Sequence, residues 1–182
     1  MRGIAFIIAA CMLATAISAG CVLKRQPFKG VVGYHDGKVY LTPDRYYEKG
    51  KYYRVGILPG GWKRMATPAY TISFYSEDYK SSISTDAYCG RSVRDRTLAS
   101  LTGDIITALE DRKFSDEKEF MLDGRGAIRQ QVEGKVDGVP TLVDLVTLRK
   151  NACVFDFYLV SPKEASLDAT EDFEGFFNAF HY

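Results

Sequence analysis

The stretch Lys118–Val160, KEFMLDGRGAIRQQVEGKVDGVPTLVDLVTLRKNACVFDFYLV, decides the fold. It divides into strand-like runs at Lys118–Leu122, Gly126–Val136, Pro140–Lys150 and Cys153–Val160, rich in Val, Leu, Phe and Tyr. Asp123-Gly124, Asp137-Gly138 and Lys150-Asn151 stand between them, too short for a crossover and suited to tight turns. Neighbouring runs should therefore pair antiparallel, as a meander. In Thr141–Leu148 the residues Leu142, Val143, Leu145, Val146 and Leu148 exceed simple alternation, which predicts a strand covered on both faces.

Upstream, Tyr70, Ile72 and Phe74 alternate with Thr71, Ser73 and Tyr75. Ile83, Thr85, Ala87 and Cys89 share one parity after the Glu77–Ser81 turn, so the two runs read as a hairpin. Leu98, Leu101, Ile105, Ala108 and Leu109 then recur at spacings of three and four, predicting an amphipathic helix capped near Ser92 or Asp95 and weakened by Gly103. The acidic pairs Glu110-Asp111 and Asp116-Glu117, mixed with Arg112, Lys113 and Lys118, read as a charged loop of solvated ion pairs rather than a glycosidase dyad. Downstream, Phe173, Phe176, Phe177 and Phe180 mark one face of a closing helix, with capping-box spacing at Asp168 and Glu171. Its polar face is acidic at Asp172 and Glu174, which favours packing on a sheet over insertion into an anionic membrane. Near the start, Asp36-Gly37 separates Val31–Tyr34 from Val39–Leu41 as a further hairpin, and Pro59-Gly60-Gly61 turns the chain into Trp62. The expected class is α+β: an antiparallel sheet of about six strands flanked by helices, in the order β-β-α-β-β-β-β-α after an N-terminal hairpin.

The first residues address the chain. Arg2 leads into the apolar run Ile4–Ile17, shorter than the roughly 20 residues of a membrane-spanning helix, and the run ends in small residues. That is a signal peptide; a permanent transmembrane anchor is the weaker reading. Ser18-Ala19-Gly20-Cys21 resembles the lipobox of bacterial lipoproteins, with Ser18 in place of the usual Leu. The resemblance implies cleavage after residue 20, lipidation of Cys21 by diacylglycerol and a fatty acid such as palmitate, a tether over 21–30, and one α+β domain over 31–182. Val22 in place of an acidic residue resembles the outer-membrane default, so the domain would face the periplasm. The alternative is ordinary secretion with Cys21 left as a free thiol.

Removal of residues 1–20 takes one Arg and no acid from a total of 24 Lys and Arg against 23 Asp and Glu, leaving no net charge. Such a balance gives no support to nucleic-acid binding. Of the four cysteines, Cys11 lies in the removed segment and Cys21 would be acylated, which leaves Cys89 and Cys153 in an oxidising compartment. A disulfide between them is expected, closing a loop whose constraint would contribute about 4 kcal/mol. Two separate buried thiols are the alternative, and a CxxC redox pair is excluded by their distance in sequence.

Several short motifs resemble the fold family shared by PsbP of photosystem II and the Mog-type Ran-binding proteins, and small uncharacterised lipoproteins of deltaproteobacteria. They are Gly61-Trp62, Cys89 before the helix, Gly124-Arg125-Gly126-Ala127, Asp137-Gly138-Val139-Pro140, Cys153-Val154-Phe155-Asp156-Phe157-Tyr158 with Ser161-Pro162, and Phe176-Phe177-Asn178-Ala179-Phe180. The resemblance covers roughly residues 52–182 and implies an accessory or assembly protein rather than an enzyme. The chain lacks the plastid transit peptide of the photosystem proteins, so that role does not carry over.

Catalytic signals are sparse. The two histidines, His35 and His181, have no partner at metal-ligand spacing, and there is no P-loop, dinucleotide glycine pattern or Gly-x-Ser-x-Gly elbow. No metal and no cofactor is expected. Candidate partner-binding residues are Trp62, more economically a core anchor, Arg125 in a Gly-flanked turn, Asp156 between Phe155 and Phe157, and the pair Tyr46 and Tyr47 within a Tyr-rich N-terminal half. Asp156 has the competing reading of an outward-facing strand residue or the partner of a buried Arg. The functional expectation is a non-enzymatic lipoprotein held to the membrane by its N-terminal lipid and serving an envelope protein complex, a transporter among the candidates. The alternative is a periplasmic small-molecule binder or hydrolase with a site between sheet and helix.

Overall fold

A computed structural model of the chain describes residues 28–29, 31–41, 51–67, 71–90, 96–164 and 167–182. The expected signal segment, Cys21 and the Tyr46-Tyr47 pair lie outside the described residues.

The expected meander is present. Strands β9 (Lys118–Leu122), β10 (Arg125–Val136), β11 (Val139–Lys150) and β12 (Cys153–Pro162) pair antiparallel in sequence order. Each turn between them has two residues of positive φ: Asp123 and Gly124, Asp137 and Gly138, Asn151 and Ala152. That conformation matches the right-handed twist of the strands it joins and is cheapest for Asp, Asn and Gly. Ala152 is the exception, held at φ 61° with its carbonyl accepting from the Gly90 amide.

The hairpin β6 (Thr71–Ser76) and β7 (Ser81–Cys89) joins through β7 to β12, and β5 (Trp62–Arg64) forms the edge beyond β6. Among the described residues the large sheet holds nine strands. Its path is β5-β6-β7-β12-β11-β10-β8, with β9 also on β10 and β1 (Phe28–Lys29) on β7. The sheet is thus wider than the six strands expected. One addition, β8 (Glu110–Phe114), corrects the reading of that run as a loop: all five residues are exposed, and backbone pairing to β10 makes it a strand. Its Gly134 partner region sits so close that an added Cβ would lie 2.7 Å from the Glu110 carbonyl oxygen. The N-terminal hairpin also gains a third strand, β2 (Val31–His35), β3 (Lys38–Leu41) and β4 (Tyr52–Arg54) forming a separate small sheet.

Helix α1 (Leu98–Ile105), continued by one 3-10 turn to Ala108, packs on β11 and β10. Its cap is Thr97, whose side chain accepts the Ser100 amide; the expected Ser92 and Asp95 lie outside the described residues. Helix α2 (Leu167–Asn178) covers the other face. Asp168 lies within its first turn rather than at the cap, where its charge complements the helix dipole. Phe173, Phe176 and Phe177 are buried against β12, with Phe180 following the helix into the same core. Val39, Leu41 and Tyr53 of the small sheet complete this aromatic core, where Phe155 lies 4.8 Å from Phe180 and 5.0 Å from Tyr53 between ring centres. Gly56 permits the close approach of the chain after β4 to α2: its amide donates to the Phe176 carbonyl, and a Cβ would fall 2.4 Å from the Gly175 oxygen.

Candidate functional site

Strand parity sends Cys89 and Cys153 to facing positions on β7 and β12, and they form a disulfide. It is buried, and the loop it closes spans 64 residues of sequence. The expected pairing is therefore the one found.

Trp62 is tied inward, its indole Nε1 donating to Asp172 Oδ2 at 2.8 Å while the ring packs beside Tyr79. The side chain secures edge strand β5 to α2, which fits the anchor reading. Arg125 is exposed at the start of β10, with no ion pair or side-chain hydrogen bond among the described residues.

Asp156 is not outward-facing. It is 3 % exposed, lies directly across from Asp86 at 5 %, and accepts from Thr147 Oγ1 at 2.7 Å. Asp86 accepts from the phenols of Tyr88 and Tyr158, each at 3.3 Å. Burial, followed by the charge of Asp86, pushes both phenols well above their ordinary range, so they act here as hydrogen-bond donors. Sequence parity could have found this pair, since both acids alternate with core residues, but only strand register reveals that they face each other. The two carboxylates are buried, while Tyr88 and Tyr158 keep part of their surface exposed.

A second network, partly buried, clamps α2. Arg129 donates three hydrogen bonds to Asp144, at 2.9, 3.3 and 2.7 Å, and one to Glu174 at 2.7 Å, while Gln131 donates to Asp144 at 2.8 Å. The hydrogen bond to Asp144 outweighs burial, which acts against the charge, and with that to Glu174 it holds the Arg129 guanidinium charged.

A third cluster closes one end of the sheet. Asp123, in the β9–β10 turn, accepts from Lys150 Nζ at 2.5 Å and the Tyr182 amide at 2.9 Å, and meets His181 Nδ1 at 3.0 Å. Burial alone would raise this carboxyl; the three hydrogen bonds, that of Lys150 first, outweigh it and hold the group below its usual range.

The opposite end is open. A groove of about 400 Å³ runs between β8, β10, β11 and the end of β12, lined by Asp111, Lys113, Glu133, Lys135, Pro140 and Lys163. Its ion pairs, Lys135 with Asp111 and Lys163 with Glu133, are solvent-exposed. Large apolar side chains stand exposed nearby at Val136, Val139 and Phe114. The groove carried no signal in the sequence, because Asp111 and Lys113 read as part of a charged loop and their placement beside Glu133, Lys135 and Lys163 depends on strand pairing. Among the described residues no three His, Cys, Asp or Glu side chains gather to hold a metal.

No family model and no curated protein matches the sequence. Solved structures do match. LpqN, involved in cell envelope biogenesis of Mycobacterium tuberculosis, superposes with a TM-score of 0.52 at 13 % identity over 76 % of this chain and 88 % of its own. A protein from Bacteroides thetaiotaomicron VPI-5482 gives 0.51 at 11 % identity over 71 % of this chain, which spans only 44 % of that one. The solution structure of cyanobacterial PsbP from Synechocystis sp. PCC 6803 matches more loosely, at 0.49 and 15 % identity over 71 % of this chain and 85 % of its own. The α+β architecture is thus shared with known bacterial structures.

Proposed function

We propose that this chain is a lipoprotein of the bacterial cell envelope, anchored through Cys21, whose domain is a binding module for an envelope protein. It performs no chemistry of its own. The observation that carries the reading is the position of the open groove. The chain enters the large sheet at β1, beside Cys89, whereas the groove and the exposed Val136 and Val139 lie at the other end of β10 and β11. A module tethered at one end and open at the other holds its recognition surface away from its membrane. The rim joins exposed apolar side chains to alternating Lys, Asp and Glu, the mixture that protein partners use for contact and register. LpqN, which shares the fold, is involved in cell envelope biogenesis, a setting in keeping with this role.

A photo-crosslinking residue placed at Val139 in cells tests the reading. It should yield one discrete envelope protein adduct, and the same probe at exposed Leu167 should not. No adduct from Val139, or the same adducts from both positions, would contradict it.

A further inference from the structure

The tethered end of the sheet has a chemistry of its own. Strand β1 runs antiparallel to β7 with Phe28 opposite Cys89, so the first described residue stands at the disulfide end of the sheet. From Cys21 to Phe28 a fully extended chain spans at most about 25 Å. A lipid on Cys21 therefore keeps this end, and not the grooved one, close to the bilayer.

Charge is distributed accordingly. Residues 21–35 contain Lys24, Arg25 and Lys29 and no acid. The turns at this end add Arg125, Arg149 and Lys150, and Arg54 is brought alongside by its backbone bridge to His181. The acid in these turns, Asp123, is already matched by Lys150. Arg54 and Arg125 are exposed, as is the apolar side chain of Met121 beside the β9–β10 turn. The far end is of mixed charge: Glu77, Asp78, Glu110, Asp111, Glu133 and Asp137 stand there with Lys80, Lys113, Lys135 and Lys163, and three of these lysines are already ion-paired.

We infer that the end of the domain formed by the β9–β10 and β11–β12 turns and residues 181–182 is a membrane-facing surface that rests on the anionic phospholipid headgroups of the leaflet holding the anchor. This rests on the lipoprotein reading above. Each basic side chain near such a surface adds a modest attraction, and the effect is confined to roughly a Debye length, about 8 Å at physiological salt. The lipid supplies residence, and the basic end sets orientation.

The test uses the full lipidated protein in vesicles of phosphatidylcholine alone or with added phosphatidylglycerol. Flotation with the neutral vesicles reports the anchor, and amide hydrogen exchange reports orientation. With phosphatidylglycerol, exchange at 123–125 and 151–152 should slow roughly tenfold while 77–80 and 137–138 stay unchanged. The double variant Arg54→Glu/Arg125→Glu should still float and keep its disulfide, yet lose that protection, as expected for reversing charges near an anionic surface. Flotation without anionic-lipid protection, or equal protection of both ends, overturns the membrane-facing surface while leaving the anchor standing. Failure to float on neutral vesicles removes the anchor, and the orientation with it.

Discussion

The two ends of the large sheet are built on opposite plans. At the end that carries Phe28 and the disulfide, a half-buried Lys150–Asp123 ion pair and the residues His181 and Tyr182 also bind several chain segments to one another. At the far end the turns are short, the ion pairs face solvent, and Val136, Val139 and Phe114 keep much of their surface exposed. Cross-linking one end makes that part of the domain a rigid mount. Leaving apolar surface and a groove at the other provides contact area at no cost to the core. Substitutions at the mount should therefore lower stability, and substitutions at the open end should lower partner binding alone.

The largest effect is expected at Phe155, which is fully buried with Tyr53, Phe180 and Tyr182 around it. Phe155→Ala should cost about 3–5 kcal/mol in urea unfolding, the usual range for emptying an aromatic site. A loss below 1 kcal/mol would mean the aromatic core does not hold the mount together. Replacing both cysteines, Cys89→Ser with Cys153→Ser, should cost about 4 kcal/mol for the loop released. Free alkylation of both thiols in the native wild-type protein, without denaturant, would overturn the disulfide itself.

Asp123→Asn should cost about 1–2 kcal/mol by weakening charge-assisted hydrogen bonds. It also carries a pH signature. The folded carboxyl ionises below its unfolded value near 4, so its stabilisation is complete above that value and disappears as the pH falls through the folded one. The wild type should lose stability below about pH 4 more steeply than the Asn variant; parallel acid limbs in thermal melts would break the assignment. The smallest effect on folding belongs to the open end. Val139→Asp should change stability by no more than about 0.5 kcal/mol yet weaken capture of the envelope partner severalfold.

The meander was legible because its signals are local: Asp-Gly and Asn turns that accept positive φ, and apolar runs between them. The Phe stripe of α2 was legible for the same reason, since helical spacing alone places its rings on one face. Strand β8 was hidden. Its residues, Glu-Asp-Arg-Lys-Phe, are all exposed and show no alternation, and what makes them a strand is hydrogen bonding to a distant partner, β10. Asp156 was visible as an acid in an apolar strand, but Asp86 lies in the Ser- and Thr-rich β7, and their opposition depends on strand order, since β7 meets β12 across 64 residues of chain. Tyr34, Tyr53 and Tyr79 pack into or against the core, so a surface-like composition concealed interior positions.

The central claim is that one end of this domain is fastened to a membrane by the Cys21 sulfur. Its most direct measurement is the mass of the N-terminal peptide of the protein extracted from envelope membranes. The account predicts a peptide beginning at Cys21 that carries a thioether-linked diacylglycerol and a fatty acyl group. A peptide beginning elsewhere, or a Cys21 with an unmodified thiol, would contradict it.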